Sequence, residues 1–346
     1  MNETSSTKNI LVRCPNWVGD IVMATPVFRC LRANYPHARI VACVRAYAVG
    51  ILKDAPDIDD IIPVEDKSIK GILDAASKIK AEAPDIAILL TNSFRSWLEV
   101  YLAKPNRIYG YSRGIRKIFL RDGLQPKKQN GQIVRLPMEE YYLDICRDMQ
   151  LDVPASQKPM LGISPKLQTE GDTLLKEAGV DPDEMIIGLN PGASFGSSKC
   201  WPPRYFARLA ENIQDKWSCQ IVLFGSPAEH ELAQKIMEKS SAQIVNTVPL
   251  NPGLERLKAL INRCDLLITN DTGPRHYAVA LGIPVVVMMG PTHPDYTAAN
   301  LEKTEIVRIE VECGPCHKKN CPRDHRCMTG ITPDMVLAKA ETLFSN

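Results

Sequence analysis

A carboxylate stands where the first apolar run of the sequence ends. Asp20 closes the segment Pro15–Asp20 (PNWVGD), which follows an apolar run and precedes a helical pattern. A carboxylate at the mouth of a helix could take a proton from a substrate hydroxyl, so Asp20 is a candidate general base. The alternative is purely structural, because Asp20 could instead cap a helix that begins near Ile21.

The loop 190–202 offers groups that bind phosphate. It is rich in Gly and Ser and has one lysine, Lys199, before a helix that Pro202 or Pro203 can start. Backbone amides, hydroxyls and one ammonium group suit a diphosphate, although an ordinary polar loop is the alternative. Besides Lys199, the candidates in this loop are Ser194, Ser197 and Ser198.

The loop 224–229 has two explanations. Ser226, Pro227 and Glu229 have the spacing of a helix N-cap, first position and third position, which is a capping box and needs no ligand. The second explanation is a nucleotide contact by Glu229, with Gly225 and Ser226 in the same loop.

The loop 269–276 is the most specific of the set. A strand rich in Leu and Ile ends in a turn that puts Asp271, Thr272 and Gly273 at a helix start, where backbone amides can hold a phosphate. Capping by Asp271 would explain part of this pattern. His276, one turn into the helix, is either a ligand contact or a histidine of the core.

Eleven cysteines are present, and four of them are clustered in the spacing C-x2-C-x4-C-x5-C. Four thiols so close together could hold a structural zinc ion or an iron–sulfur cluster, form disulfides, or stay free. The spacing matches neither a zinc ribbon nor a ferredoxin. The seven scattered cysteines lie in apolar or helical surroundings and are expected to fill the core. The clustered residues, in a Cys-rich segment at 313–327, are Cys313, Cys316, Cys321 and Cys327.

Short β-rich runs alternate with helical patterns along the whole chain, which is typical of parallel-sheet α/β domains. The predicted strands lie at 9–14, 39–44, 60–64, 85–91, 107–111, 185–190, 220–224, 243–246, 266–269 and 285–289. The clearest helical patterns cover 20–34, 69–81 and 138–149. The prolines of 151–165 indicate a linker, so the sequence predicts two Rossmann-like domains, 1–160 and 161–346, that face a central cleft.

The bulk composition is that of a globular protein. With 346 residues, 45% of them apolar and 24% charged, the chain is long enough for two cores of ordinary size. No run approaches the roughly 20 apolar residues of a membrane helix, and the first residues lack the pattern of a signal peptide, so we expect a cytoplasmic location. The net charge is only +2, but ten basic and two acidic residues fall between Ile86 and Arg135. This imbalance suggests an anionic partner for the N-terminal half.

Five blocks of the sequence carry a family resemblance. They are PNWVGDIVMATPVFRCLR at 15–32, TNSFRSW at 91–97, PGASFGSSKCWPPRYFARLA at 191–210, VLFGSPAEH at 222–230 and TNDTGPRHYAVALGIPVVVMMGPTHPDY at 269–296. Through these blocks, which run over nearly the whole chain, the sequence resembles the bacterial lipopolysaccharide heptosyltransferases of glycosyltransferase family 9, most closely the heptosyltransferase II type. The resemblance implies the two-domain GT-B fold.

The resemblance also implies an inverting transfer of L-glycero-D-manno-heptose from ADP-heptose. Asp20 matches the acidic residue that serves the family as general base, Lys199 matches the lysine that faces the donor diphosphate, and Glu229 falls where the family reaches the adenosine ribose. A lysine and helix-start amides stabilise the charge that grows on departing ADP, so we expect catalysis to require no cofactor or metal. The residues that match the rest of the donor site are Asp271, Thr272, Gly273 and His276.

The implied acceptor is the phosphorylated inner core of a lipid A-linked glycolipid, met at the cytoplasmic face of the inner membrane by a peripheral enzyme. No nucleic-acid partner is expected. The basic stretch 107–128 fits phosphates or anionic head groups, although solvated surface charge is the alternative. The candidate acceptor contacts are Trp17, Asn92, Ser93, Arg95, Arg113, Arg116, Lys117 and Arg121.

Other functions stay open on the sequence alone. One is another GT-B enzyme, such as a heptosyltransferase I or III or a nucleotide-sugar epimerase. Another is a nucleotide- or anion-binding module without turnover. The presence of Asp20 argues against the module, because a protein that only binds has no need of a base.

Overall fold

The structure is a computed structural model that describes residues 7–65, 68–118, 120 and 123–345. The chain divides into two compact units, each built around a parallel sheet. Unit 1 comprises Met1–Gly162 and Asp295–Ala299, and unit 2 comprises Ile163–Pro294 and Asn300–Asn346.

Unit 1 has a five-stranded sheet in the order β3-β2-β1-β4-β5, with all strands parallel, and a separate antiparallel hairpin, β6-β7. Its strands are β1 (Asn9–Arg13), β2 (Arg39–Arg45), β3 (Asp60–Val64), β4 (Ile86–Leu89), β5 (Arg107–Gly110), β6 (Lys128–Gln129) and β7 (Gln132–Ile133). Its helices are α1 (Val18–Met23), α2 (Thr25–Asn34), α3 (Val49–Leu52), α4 (Ile69–Ala81), α5 (Phe94–Ala103) and α6 (Met138–Asp148).

Unit 2 has a six-stranded parallel sheet in the order β10-β9-β8-β11-β12-β13. Its strands are β8 (Ile186–Asn190), β9 (Gln220–Leu223), β10 (Ile244–Asn246), β11 (Leu266–Asn270), β12 (Val285–Met288) and β13 (Thr304–Val307). Its helices are α7 (Pro165–Glu177), α8 (Pro203–Lys216), α9 (His230–Met237), α10 (Gly253–Asn262), α11 (Gly273–Leu281), α12 (Arg326–Thr329) and α13 (Pro333–Ser345).

Central strands of both sheets are buried on both faces, as parallel strands covered by helices should be. Every residue of β8 and β11 is buried, as are four of the five in β1. This explains why the strands read as continuous apolar runs in the sequence. All ten predicted strands are found within one or two residues of their expected limits.

The structure corrects one predicted helix. The pattern over 20–34 forms two helices, α1 and α2, which meet at Ala24, and Pro26 stands at the start of the second. Proline has no N–H to donate to the preceding turn, so a new helix begins there. Strand β13 and the hairpin β6-β7 were not predicted, because each is short and carries no alternating apolar pattern.

A buried ion pair holds the start of the Asp20 loop. Arg13, at the end of β1, contacts Glu99 of α5 with an Nε to Oε2 distance of 2.9 Å, and both side chains are fully buried. Arg13 Nη1 also donates to the carbonyl of Cys14 (3.0 Å). The pair therefore ties strand β1, helix α5 and the loop before α1 together.

Candidate active site

A cluster of buried charges lies at the start of α11. Lys199 Nζ donates to Oδ2 and to the backbone carbonyl of Asp271, both at 2.8 Å. Arg275 Nη1 donates to Oδ1 of the same carboxylate (2.9 Å), and the Thr292 hydroxyl donates to Oδ2 (2.6 Å). The Lys199 side chain is 13% exposed and that of Arg275 only 1%. Lys199 is thus the member of the cluster with access to solvent.

The cluster carries a net positive charge. Burial alone would raise the pKa of Asp271, but the neighbouring Lys199 and Arg275 cations lower it below its ordinary value, so the carboxylate is ionised. The cluster then contains two cations, Lys199 and Arg275, and one anion, Asp271. Among the described residues, the N-cap Thr272 makes no side-chain cap hydrogen bond, and the start of α11 adds its own partial positive charge.

His276 lies beside this cluster in the buried interior. Burial first, and the Arg275 cation second, lower the pKa of His276 to about 3. The imidazole is therefore neutral at physiological pH. Burial agrees with the core-histidine explanation, while a role toward a ligand stays a prediction.

The sheet order explains why these residues meet. Strands β9, β8 and β11 are neighbours, so the loops after them share one edge of the sheet. Asn270, the last residue of β11, accepts from the Trp201 amide at Oδ1 (3.1 Å) and donates to the Pro191 carbonyl at Nδ2 (2.6 Å). These bonds attach both ends of the Lys199 loop to β11.

Glu229 forms the capping box that its spacing predicts. Its Oε2 accepts from the amide and the hydroxyl of Ser226, at 2.7 and 2.8 Å. It also stands close to the loop after β8, since a Cβ on Gly192 would lie 1.6 Å from Glu229 Oε1. A side chain at position 192 would therefore displace the Glu229 carboxylate. The nucleotide contact by Glu229, and that by Gly225, stay predictions.

The loop serines differ in what they contact. Ser194 is exposed, whereas the hydroxyl of buried Ser198 donates to the carbonyl of Lys318. The hydroxyl of Ser197 donates to Asn320 Oδ1 (3.1 Å). Ser197 and Ser198 therefore hold the Lys199 loop against the Cys-rich segment, a role that sequence reasoning missed.

In unit 1, Asp20 lies in the first turn of α1 and does not cap it. The N-cap is Trp17, and no side-chain cap bond is made there by the residues described. The Tyr142 hydroxyl of α6 donates to Asp20 Oδ1 (3.4 Å). Burial first, and the Asp20 charge second, raise the pKa of Tyr142 well above its usual value, so the phenol stays a donor. This arrangement orients the carboxylate.

Tyr141 joins two sets of predicted acceptor residues. Asn92 Nδ2 donates to the Tyr141 hydroxyl (2.9 Å), and Arg113 Nη1 donates to the same oxygen (3.4 Å). The Tyr141 ring stacks on Tyr111 with centroids 4.0 Å apart, which fixes its position. Ser93 caps α5 by accepting from the Ser96 amide (3.1 Å). Asn92 and Arg113, 21 positions apart in sequence, thus share one neighbour.

The predicted acceptor residues differ in how far they are exposed to solvent. Lys117, Arg95 and Trp17 are exposed and Arg113 is half-buried. Arg116 is fully buried and its guanidinium donates to the carbonyls of Thr91 and Tyr111. The expectation that Arg116 meets a phosphate is therefore corrected, because the guanidinium is buried and its Nη1 and Nη2 donate to carbonyls inside the fold. Arg121 lies outside the described residues.

Residues 72–326 match glycosyltransferase family 9 (heptosyltransferase), which is more than half of the chain. The chain belongs to this family. It is 29% identical to lipopolysaccharide heptosyltransferase 2 of Salmonella typhimurium, covering 97% of this chain and 98% of that one. It is 30% identical to lipooligosaccharide heptosyltransferase 2 of Haemophilus influenzae, covering 97% and 99%.

Solved structures agree with this assignment. ADP-heptose lipopolysaccharide heptosyltransferase II of Escherichia coli superposes with a TM-score of 0.79 at 27% identity, covering 97% of this chain and 98% of that one. A family 9 glycosyltransferase of Veillonella parvula gives 0.83 at 24% identity, covering 98% and 97%, and supports the fold. The predicted fold class, two parallel-sheet α/β domains of the GT-B type, is confirmed, and the protein is a glycosyltransferase.

Four residues of this family 9 enzyme escaped sequence reasoning. Arg275 stands four positions after Asp271 on one helix, so its ion pair could have been read from the spacing. Thr292 reaches Asp271 from the loop after β12, which no local pattern indicates. Tyr141 and Tyr142 are adjacent on α6 and were read only as part of a helical pattern.

None of the eleven cysteines, all of which the structure describes, forms a disulfide. Five of the seven scattered cysteines are buried, as predicted for core residues, and Cys200 and Cys219 are half-buried. The four clustered thiols of Cys313, Cys316, Cys321 and Cys327 line one cavity of about 390 Å³. Among the described residues, no three His, Cys, Asp or Glu side chains converge as metal ligands.

No helix in the described ranges combines the length and the apolar character needed to cross a bilayer.

Proposed function

We propose that this glycosyltransferase moves L-glycero-D-manno-heptose from ADP-heptose to the phosphorylated inner core of a lipopolysaccharide, with inversion at the anomeric carbon. The observation that carries the proposal is the buried cluster of Lys199, Asp271 and Arg275, which presents net positive charge at a helix start. The names of the relatives in Salmonella typhimurium and Escherichia coli supply the sugar and the acceptor class.

The cluster suits a leaving diphosphate. An ammonium has three donors, and two of those on Lys199 are engaged by Asp271, which leaves one to reach a donor phosphate. Asp271 and Arg275 fix the position of the ammonium before substrate arrives. As the bond from the anomeric carbon to the diphosphate oxygen breaks, its electron pair stays on ADP, and Lys199 with the α11 amides stabilises that charge. Catalysis therefore needs no divalent cation or other cofactor.

Asp20 is the proposed general base. The acceptor hydroxyl oxygen forms the new bond to the anomeric carbon, and its proton passes to the Asp20 carboxylate. Tyr142 supports this role, because its hydroxyl donates to Asp20 Oδ1 and sets the direction of the carboxylate. Transfer then yields ADP and the extended glycolipid.

The acceptor-binding residues are proposed to be Asn92, Arg113 and the exposed Lys117 and Trp17. Asn92 and Arg113 share Tyr141 as a hydrogen-bonding partner, so a sugar hydroxyl and a phosphate could be held side by side. An acceptor anchored by lipid A requires that the enzyme work at the cytoplasmic face of the inner membrane as a peripheral protein. The exposed cations would also favour an anionic surface.

The direct test is transfer itself. The protein is incubated with ADP-heptose and a panel of core glycolipids truncated one sugar at a time, and the product linkage is determined. Transfer to an acceptor that already carries one heptose supports the type II assignment. Transfer only to a heptose-free core would make it a type I enzyme, and ADP release without a glycolipid product would overturn the proposal.

A second arm tests the cofactor statement. Transfer is measured in three samples: directly after addition of EDTA, with Mg²⁺ in excess, and with Mn²⁺ in excess. Equal rates are expected in all three samples. A rate that falls with EDTA and returns with Mg²⁺ or Mn²⁺ would show that a divalent cation takes part in catalysis.

A further inference from the structure

Most of the Cys-rich segment, and the residues just before it, lack regular secondary structure. Residues 308–325, all of them described, form neither helix nor strand, and none of them is fully buried. An irregular stretch of this length is uncommon inside a compact domain, because it buries too little apolar surface to offset its loss of conformational freedom. Ile309 and Val311 pack on the core of unit 2. Hydrogen bonds from Ser197 and Ser198 hold the stretch at Asn320 and Lys318.

Four thiols within this segment and α12 line a single cavity of about 390 Å³. Three of them, Cys313, Cys316 and Cys321, come from the irregular part, and Cys327 comes from α12. Cys327 is almost fully buried, and the cavity wall brings cysteines from both parts of the chain together. A ligand at the cavity would therefore join the irregular segment to a regular element of unit 2.

The cavity also carries the positive charge that four thiolates would need. Lys318, Arg323 and Arg326 line it together with the cysteines. Asp324 lines it too and pairs with Arg326 (2.7 Å), so the excess positive charge comes from Lys318 and Arg323. Four thiolates around one divalent ion leave a net charge of −2, and cations on the same wall offset it. His325 also lines the cavity, and its Nε2 donates to the Ser198 carbonyl (2.7 Å). The four thiols are taken as the ligand set.

We propose that Cys313, Cys316, Cys321 and Cys327 bind one structural Zn²⁺ ion, and that this ion positions the Lys199 loop. Four thiolates and a closed tetrahedral site are the donor set that structural zinc takes. Among the described residues the sulfur atoms do not converge, so the proposal requires that the cysteine side chains rotate toward the cavity.

The link to Lys199 is direct. The Ser198 amide donates to the Lys319 carbonyl (3.0 Å), and its hydroxyl donates to the Lys318 carbonyl. Gly196 packs so closely that a Cβ there would stand 2.3 Å from the Lys319 carbonyl oxygen. On the other side, the His317 amide donates to the Pro291 carbonyl (2.9 Å), next to Thr292, which contacts Asp271. Ordering the segment thus orders the loops that hold the charged cluster.

The first experiment measures metal in the full chain, purified with a reductant and without chelator. Zinc and iron are determined for the wild type, for Cys321→Ser and for the matched control Cys219→Ser, a half-buried cysteine of the same unit outside the segment. About one zinc per chain is expected in the wild type and the control, and less than about a tenth of that in Cys321→Ser. Iron in place of zinc, or equal zinc loss in both variants, would overturn the site.

A second measurement uses the wild type alone, so that a misfolded variant cannot obscure the result. Thiols reactive toward a colorimetric reagent are counted before and after a strong zinc chelator is added. A gain of four is expected, and Co²⁺ added to the metal-free protein should give the visible absorption of a tetrahedral thiolate site. No gain of reactive thiols, or disulfides found under non-reducing conditions, would contradict the proposal.

The effect on the Lys199 loop is read from ADP binding and rests on the proposed function. Removing zinc should weaken ADP binding about tenfold, and restoring zinc should recover it. Unchanged ADP affinity would overturn the link to the loop. The zinc content is measured independently of ADP binding. If the proposed donor site is wrong, the metal site can still be correct, and if the metal site is wrong, the proposed donor site can still be correct.

Discussion

At the scale of single residues, the two units supply different chemistry. Asp20 is an acidic group oriented by a phenol, and Lys199 is a cation fixed by a buried carboxylate. The first is suited to accept a proton, and the second to hold charge that is present in the donor and grows in the transition state.

Replacing Asp20 by Asn keeps the shape of the side chain and removes the base. The kcat of Asp20→Asn should fall by roughly 10²-fold or more, while the Kd for ADP changes little. Steady-state rates and calorimetric ADP binding check both parts. Tyr142→Phe serves as the matched variant, because it keeps the base and removes only its orienting hydrogen bond, so its loss should be smaller. Turnover of Asp20→Asn near the wild-type rate would remove Asp20 from the mechanism.

Lys199→Ala should weaken both binding and turnover. The Kd for ADP should rise roughly tenfold to a hundredfold, and kcat should fall as well, because the ammonium contacts charge in both the bound donor and the transition state. Lys216→Ala, on α8 of the same unit, removes an exposed ion pair and is the control. Melting temperatures separate the loss of the buried contact with Asp271 from the loss of binding. An ADP affinity equal to that of the control would argue against the proposed donor contact.

At the scale of elements, helix α11 gathers the cluster through the spacing of its residues. Arg275 and His276 follow the turn at Asp271 and both are buried. A neutral histidine in this environment couples the stability of unit 2 to pH, because the unfolded chain can bind a proton that the folded one excludes.

The stability of unit 2 should fall as the pH falls below about 6.5. The folded pKa of His276, lowered to about 3, lies below its ordinary value of 6.5, so each pH unit between them costs about 1.4 kcal/mol. About 2 kcal/mol should be lost between pH 6.5 and 5. Asp271 does not contribute there, because its pKa is lowered from 3.8 and it is ionised in both states. Urea unfolding of wild type and His276→Gln at pH 7.5 and 5 checks this, and equal pH dependence in the two proteins would contradict it.

Particular elements also show which structural features could be predicted from the sequence. Strands β8 and β11 were predictable because burial on both faces leaves continuous apolar runs, and the capping box at Ser226 and Glu229 follows from local spacing. The contact of Thr292 with Asp271 and the burial of Arg116 depend on how distant loops pack, which no local pattern records. Local structure was therefore predictable, and contacts between distant parts of the chain were not.

At the scale of the whole molecule, charge is divided between the two units. The basic excess of the N-terminal half includes exposed Lys117 and half-buried Arg113, whereas Arg116 is removed from the surface. If the exposed cations hold a phosphorylated acceptor, their contribution is Coulombic and is screened by salt. The KM for acceptor should then rise with ionic strength, while the KM for ADP-heptose moves less.

Arg113→Gln/Lys117→Gln should mimic high salt. Each contact with an anionic group is worth about 1 kcal/mol, so the double variant should raise the acceptor KM roughly tenfold to thirtyfold without abolishing kcat. The control is Lys70→Gln/Lys80→Gln, which removes the same charge from exposed positions outside the basic region 86–135. The acceptor KM is measured with phosphorylated and with dephosphorylated acceptors. The variant and the wild type should differ in KM for the phosphorylated acceptor and have similar KM values for the dephosphorylated one. If both prefer the phosphorylated acceptor by the same ratio, these cations are ordinary solvated charge and the acceptor contacts lie near Asn92 and Arg95.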